Sequence, residues 1–118
     1  MDSERRKEKR RKFTYYMRVM DANTLQPIGY LTEISAIGIQ VDSEKPLPLH
    51  AAFKLRLDLP ADIANKTNIV FNARSKWCEP DRMVPNSYNI GFEVTLLSHE
   101  DTVIFNRMIE KYGSTRDV

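Results

Sequence analysis

The sequence predicts an all-β domain of antiparallel strands that ends in one α-helix. About six stretches alternate apolar with polar residues, which is the period of a strand with one buried face. Prolines, glycines and Asn/Asp-rich turns separate these stretches, and no helical pattern stands between them to build the βαβ units of a parallel sheet. At 118 residues, the chain is long enough to bury one hydrophobic core.

The first three strands lie near the N-terminus. Alternation over residues 13–20 predicts a strand with one buried face. The apolar positions of that face are Phe13, Tyr15, Met17 and Val19. A second strand is expected from Ile28 to about Ser35, and its partner starts at Ile39 after a turn over residues 35–38.

Three further strands follow Pro46 and Pro48, which cannot donate to a ladder. They are expected over residues 53–59, 68–79 and 88–94. The middle one runs through Phe71, Ala73, Ser75 and Trp77 at alternating positions. In the last strand, Gly91 indicates a bulge or a close backbone approach.

The C-terminal segment has the period of an amphipathic helix. Ser98 followed by Asp101 resembles a capping box with a shorter acid, and Glu100 adds negative charge to the first turn. Apolar residues then recur at helical spacing. They are Ile104, Phe105, Met108, Ile109 and Tyr112. Gly113 is predicted to close the helix in a left-handed conformation, and the helix is expected to cover an opening of the β structure.

The net charge of +2 conceals a strongly basic N-terminus. Residues 1–12 carry seven lysines or arginines against three acidic residues, so the remainder is close to neutral. Such a segment is either a solvated arm or an arm that folds onto an anion. No apolar run approaches the roughly 20 residues that span a bilayer, and the single cysteine, Cys78, cannot form an intrachain disulfide. We therefore expect a cytoplasmic protein without membrane insertion.

Metal and catalytic sites have little support in the sequence. His50, His99 and Cys78 do not stand at metal-ligand spacing from one another. Nothing resembles a nucleophile elbow, a phosphate loop or a carboxylate pair with a clear role, so we expect no enzyme and no cofactor. For Trp77, packing in or beside the core is favoured over ligand stacking.

Two short motifs carry the chemistry that remains. Glu33, Ser35 and Gly38 combine an acceptor, a hydroxyl and a residue that permits positive φ or a close approach to the backbone. In the arm, Arg5, Arg6 and Arg10 supply guanidinium groups just before the first strand. Guanidinium binds phosphate oxygens, or O6 and N7 of guanine, through two hydrogen bonds.

These residues resemble a known family, the PilZ domain, a bacterial receptor for the second messenger cyclic di-GMP. The resemblance rests on an Arg-x-x-x-Arg motif at Arg6 and Arg10, and on an acidic-or-amide-x-Ser-x-x-Gly motif at Glu33, Ser35 and Gly38. The final strand, residues 88–93, also resembles the family's Ile-Gly-Phe/Val-Glu ending. The likeness covers nearly the whole chain.

The resemblance implies a six-stranded antiparallel β-barrel finished by a C-terminal helix. It implies a flexible basic arm over residues 1–12, a barrel with its helix over 13–113 and a tail over 114–118. Arg6 and Arg10, assisted by Arg5, would hold the phosphate and guanine groups of cyclic di-GMP. Glu33, Ser35 and Gly38 would form the opposite wall, and closure of the arm would signal to a protein partner.

Alternatives stay open at this stage. Glu33 stands where Asp or Asn is usual in the family, and, if the arginine motif is read from Arg10–Arg11 instead, Tyr15 stands where the second arginine belongs. The chain would then be a degenerate adaptor that binds a protein without nucleotide. Nucleic-acid binding through the basic arm ranks last, because the body of the sequence shows no basic stripe to continue it.

Overall fold

A computed structural model describes the backbone of residues 10–117 and the side chains of residues 10–114. Within residues 10–117, eight strands and one helix follow in chain order. They are β1 (Arg11–Phe13), β2 (Arg18–Asp21), β3 (Pro27–Ile34), β4 (Gly38–Ser43), β5 (Ala52–Asp58), β6 (Asn68–Pro80), β7 (Tyr88–Leu96), α1 (His99–Tyr112) and β8 (Gly113–Asp117).

Six of these strands close into an antiparallel β-barrel. Their order around the barrel is β2-β5-β6-β7-β4-β3, and β3 pairs back onto β2 to complete the ring. Closure leaves these six strands without a free edge. Outside the ring, β1 pairs with β3 on one side and with β8 on the other. The barrel and the helix predicted from the sequence are therefore confirmed.

The core fills the barrel, and one face of α1 packs against it. Phe105 of α1 is almost fully buried and meets Phe71 edge to face at 6.1 Å. Polar contacts fasten the helix to the loop before β6, where Lys66 Nζ lies 2.8 Å from a carboxylate oxygen of Asp101. Arg107 donates to the Ile63 carbonyl at 2.6 Å. No helix among the described residues is long and apolar enough to cross a membrane.

The first predicted strand is interrupted in the structure. Both the backbone N–H and the hydroxyl of Thr14 donate to the carbonyl of Tyr112, at 2.9 and 2.8 Å. This contact draws the chain toward the end of α1 and separates β1 from β2. Tyr15, expected on the buried face, is instead 38% exposed and packs against the ring of Tyr112 at 4.8 Å between centroids.

The end of the helix also differs from the expectation. Gly113 has an extended backbone with φ −78°, not a left-handed one, and its N–H donates to the carbonyl of Ile109. A Cβ at Gly113 would overlap that carbonyl oxygen, so close approach, rather than positive φ, favours glycine here. The chain continues as β8, where the sequence had indicated a tail, and Arg11 and Lys12 of the expected arm already belong to β1.

Candidate functional site

A row of four residues crosses the outer surface of the barrel from β3 to β6. Glu33 on β3 lies opposite Gln40 on β4, and Gln40 lies opposite Gly91 on β7. Gly91 in turn lies opposite Trp77 on β6. Side chains directly opposite on one face of antiparallel strands are neighbours about 5 Å apart. The row therefore brings together a carboxylate, an amide, a bare backbone position and an indole.

Glu33 reaches this surface because of an irregularity in β3. The register with β4 shifts between Leu31 and Glu33, so that β3 advances two residues while β4 advances one. Leu31 and Ile34 both belong to the core, and Glu33 lies opposite Gln40, whose neighbours on β4 face inward. Without the shift, strict alternation from Leu31 would point Glu33 into the core.

Trp77 reaches the same surface through a similar register shift. The register between β6 and β7 shifts between Ser75 and Trp77. Ser75 is fully buried, whereas Trp77 is half-buried and lies opposite Gly91, between the core residues Ile90 and Phe92. The sequence placed Trp77 at the alternating positions of Ser75 and Ala73. The packing role expected for it holds in part, because the ring also borders an open cleft.

The cleft over this row has a volume of about 490 Å³. It is bordered by residues from β3, β4, β6 and β7, from the turn between β3 and β4, and by the residue that precedes β1. These are Arg10, Glu33, Ile34, Ser35, Ile37, Gly38, Ile39, Gln40, Lys76, Trp77, Gly91, Phe92 and Glu93. Its size is within the range of small-molecule sites, roughly 300–1,000 Å³. It unites four of the six residues that the two motifs predicted, namely Arg10, Glu33, Ser35 and Gly38. The other two, Arg5 and Arg6, lie outside the described residues.

Arg10 and Glu33 form one charged pair at the cleft, and Lys76 and Glu93 form another. Arg10 Nη1 lies 3.3 Å from Glu33 Oε1 and 3.5 Å from Gln40 Oε1. The Glu33 side chain is 10% exposed and that of Arg10 is 49% exposed. Although the two charges are close, no described donor is aligned to make a hydrogen bond to Glu33 Oε1. This carboxylate oxygen lies buried in the wall of the cleft, where it is ion-paired with Arg10 but accepts no hydrogen bond from the described residues.

Ser35 and Gly38 shape the turn between β3 and β4. The Ser35 N–H donates to the Gly38 carbonyl at 2.9 Å, and the Ser35 hydroxyl accepts from the Ile37 N–H at 3.3 Å. Gly38 does not have positive φ. A Cβ there would overlap the carbonyl oxygen of Phe92, so glycine lets β4 and β7 approach closely. Of the two roles that the sequence allowed for Gly38, the structure therefore has the close approach.

Gly91 permits the indole to lie against the barrel. A Cβ at this position would overlap atoms Nε1, Cε2 and Cζ2 of Trp77. The close approach expected at Gly91 is thus made by a side chain from the neighbouring strand. An exposed indole face is a surface on which an aromatic base can stack.

Metal chemistry finds no support in the described part of the chain. No group of three or more His, Cys, Asp or Glu residues is close enough there to hold an ion. The polar and aromatic groups that border the cleft include a guanidinium, an ammonium, two carboxylates, an amide, a hydroxyl and an indole. This set is suited to hydrogen bonding and stacking with a polar aromatic ligand.

A family model of the PilZ domain matches residues 4–111, which is most of the chain. This chain belongs to the PilZ domain family. Its barrel is similar to the structure titled "PilZ domain with c-di-GMP of YcgR from Escherichia coli", with a TM-score of 0.71 and 13% identity. That likeness covers 92% of this PilZ domain and 91% of the YcgR chain.

A second solved structure has the same fold. The PilZ domain is similar to the Bacillus subtilis inhibitor of motility (MotI/DgrA), with a TM-score of 0.67 and 19% identity over 91% of its length. It spans only 51% of the MotI chain. A search of curated protein sequences finds no match. At these identities the two structures support the fold of the PilZ domain.

Gln40 and Trp77 are two cleft residues that the sequence motifs did not include. Gln40 stands between Ile39 and Val41 in an alternating strand, so its outward direction was readable from the sequence. Its position opposite Glu33 was not, because the pairing depends on the shifted register of β3. Trp77 would have been found only by knowing that a bulge precedes it.

Proposed function

We propose that this PilZ domain is a receptor for cyclic di-GMP that signals to a protein partner. The observation that carries the proposal is the buried carboxylate of Glu33, which borders the cleft beside Arg10 and accepts no hydrogen bond at Oε1 from the described residues. A ligand that donates hydrogen bonds to Glu33 and presents acceptors to Arg10 would satisfy both groups. A guanine nucleotide has this combination of N–H donors with phosphate, O6 and N7 acceptors.

Five of the cleft residues have a role in the proposal. Arg10 binds a phosphate or the O6 and N7 edge of a guanine, and Glu33 accepts from the guanine N–H groups. The indole of Trp77 stacks on a base. Ser35 and Gly38 hold the turn that forms the wall beside Glu33. The solved YcgR domain, whose title names bound c-di-GMP, supports this choice of ligand.

The output in this proposal comes from the N-terminal arm. Arg10 immediately precedes β1, and Arg11 and Phe13 of β1 pair with β8. Arg5 and Arg6 supply further cationic contacts to the ligand, and the part of the arm that precedes β1 closes over the cleft as they bind. The closed arm presents a new surface, which the protein partner recognises.

Calorimetry with cyclic di-GMP tests the proposal on the wild type and on Arg10→Ala. We expect binding by the wild type and a loss of at least about tenfold in affinity for Arg10→Ala, because a charge-assisted contact contributes roughly 1.5–3 kcal/mol. Arg82→Ala is the matched control, since Arg82 is exposed in the β6–β7 loop and does not border the cleft. Absence of heat from the wild type at tens of micromolar ligand overturns the proposal.

A protein adaptor that binds no nucleotide is the second candidate. The observation that favours it is Tyr15, which stands at the second arginine position in the alternative reading of the motif and packs against Tyr112 instead of bordering the cleft. If the chain is such an adaptor, added cyclic di-GMP leaves the midpoint of its thermal unfolding unchanged. A ligand that binds only the folded state must raise the midpoint.

A further inference from the structure

Gln40 has a position in the cleft that neither motif assigns. It lies directly opposite Glu33 in the β3–β4 ladder and directly opposite Gly91 in the β4–β7 ladder. Its side chain therefore lies between the carboxylate of Glu33 and the indole of Trp77 that covers Gly91. A base that stacks on the indole and also hydrogen-bonds to Glu33 therefore lies next to the amide of Gln40.

Arg10 determines which way this amide points. Gln40 Oε1 faces Arg10 Nη1 at 3.5 Å. A guanidinium carries only donors, so the amide oxygen faces it and the NH₂ group points away. Within residues 10–114, no carbonyl or side chain accepts a hydrogen bond from Gln40 Nε2. Gln40 thus has an amide donor without a partner among these residues, beside the Glu33 carboxylate, whose Oε1 is paired with Arg10 but accepts no hydrogen bond from them.

We propose that Gln40 is a specificity-determining residue that donates to O6 of a guanine whose N1–H and N2–H groups donate to Glu33. The inference rests on the proposed cyclic di-GMP function. Guanine presents two donors and one acceptor along this edge, which match the carboxylate and the amide together. In the same orientation, adenine presents its N6 amino donor to the NH₂ group of Gln40 and its N1 acceptor to the carboxylate of Glu33, so neither hydrogen bond forms. The pair therefore selects cyclic di-GMP over cyclic di-AMP.

Gln40→Glu separates reading of the base from positioning of Arg10. Glutamate has the same shape and keeps an acceptor for Arg10, which it binds more strongly, but it has no donor for O6. Calorimetry with cyclic di-GMP and cyclic di-AMP gives a ratio of two affinities, in which a general effect of the added charge cancels. We expect the preference for cyclic di-GMP to fall roughly fivefold to tenfold, the value of one hydrogen bond.

Two controls complete the experiment. Gln26→Glu adds the same charge in an exposed turn outside the cleft and should leave the ratio unchanged. Cyclic di-IMP lacks the N2 group but keeps O6. Gln40→Glu should therefore weaken the binding of cyclic di-IMP by the same factor as the binding of cyclic di-GMP, because the lost contact is to O6.

Two outcomes overturn the role of Gln40 while cyclic dinucleotide binding stands. One is an unchanged preference for cyclic di-GMP over cyclic di-AMP in Gln40→Glu, and the other is a wild type that binds these two ligands equally. A wild type that binds none of these ligands overturns the proposed function, and the role of Gln40 with it.

Discussion

The indole of Trp77 occupies the space in which a side chain at Gly91 would lie. The two residues face each other across β6 and β7, on the outer surface of the barrel. Glycine at this position is therefore a requirement of the cleft rather than of the backbone conformation. Because the chain has one tryptophan, its fluorescence reports on this contact alone.

Gly91→Ala should displace the indole. The added methyl overlaps the ring, so we expect the ring to tilt away, the emission of Trp77 to shift and the affinity for cyclic di-GMP to fall. Fluorescence and calorimetry measure the two effects. Thr95→Ala, on an exposed position of the same strand, is the control. An unchanged emission spectrum in a folded Gly91→Ala protein would contradict the packing described for Trp77.

Arg10→Ala should destabilise the ligand-free protein, whereas Glu33→Gln should not. Removing Arg10 leaves the buried Glu33 carboxylate without its nearby counter-charge, while the glutamine removes the buried charge itself. Because Arg10 is half exposed, we expect a loss of only about 1 kcal/mol in the free energy of unfolding for Arg10→Ala.

Urea unfolding of both single variants and of the double variant measures this coupling. The double variant should recover most of the stability lost in Arg10→Ala. Arg82→Ala supplies the control for removal of an exposed arginine. If the effects of Arg10→Ala and Glu33→Gln simply add, the two side chains do not interact.

Glu33→Asp should tighten the binding of cyclic di-GMP. Aspartate has one rotatable bond fewer to order and is the acid usual in the motif that Glu33 resembles. The side-chain entropy saved is some tenths of a kcal/mol, so a gain of about twofold in affinity is expected. Competition calorimetry resolves a change of this size. Weaker binding by Glu33→Asp would mean instead that the longer side chain is needed to reach the ligand.

Asp62 should make the stability of the folded protein depend on pH in the acidic range. Its carboxylate accepts from Lys111 Nζ at 2.5 Å and from the Tyr112 hydroxyl at 2.9 Å. The Lys111 contact, followed by that of Tyr112, holds the pKa of Asp62 below its ordinary value of 3.8. A carboxyl group with a lowered pKa stabilises the folded state above its unfolded pKa, and this contribution disappears as the pH falls through the folded pKa.

Thermal unfolding of the wild type and of Asp62→Asn between pH 6 and pH 2 tests this expectation. The wild type should have the higher midpoint near pH 6, and the two midpoints should converge toward pH 2. Glu44→Gln removes an exposed carboxylate from the β4–β5 connection and serves as the control. A constant difference between the wild type and Asp62→Asn across this range would show that ionisation of Asp62 does not stabilise the fold.

Short-range patterns in the sequence were enough for most of the elements. Strands β3 to β7 and the helix lie where alternation and helical spacing predicted them, within a few residues at their ends. The Ser98 hydroxyl caps the helix by accepting from the Asp101 N–H at 3.1 Å, although the Asp101 carboxylate binds Lys66 instead of completing the box. These features depend on residues close in the chain, so the sequence expresses them directly.

The break between β1 and β2 depends on residues far apart in the chain. Thr14 is drawn to the carbonyl of Tyr112, 98 residues later. The strand β8, which continues from α1, then pairs with β1. The alternation of apolar and polar residues over 13–20 does not depend on such distant contacts. It therefore predicted a single strand with Tyr15 on its buried face.

The sequence by itself determined the barrel strands, the capping helix and the chemistry of Arg10, Glu33, Ser35 and Gly38. Only the tertiary structure decided that Glu33 and Trp77 face one cleft with Gln40 between them. The reason is the pair of register shifts in β3 and β6. Each inserts one residue into a strand and reverses the side of every residue after it, and the partner strand, not the local sequence, fixes where the insertion falls.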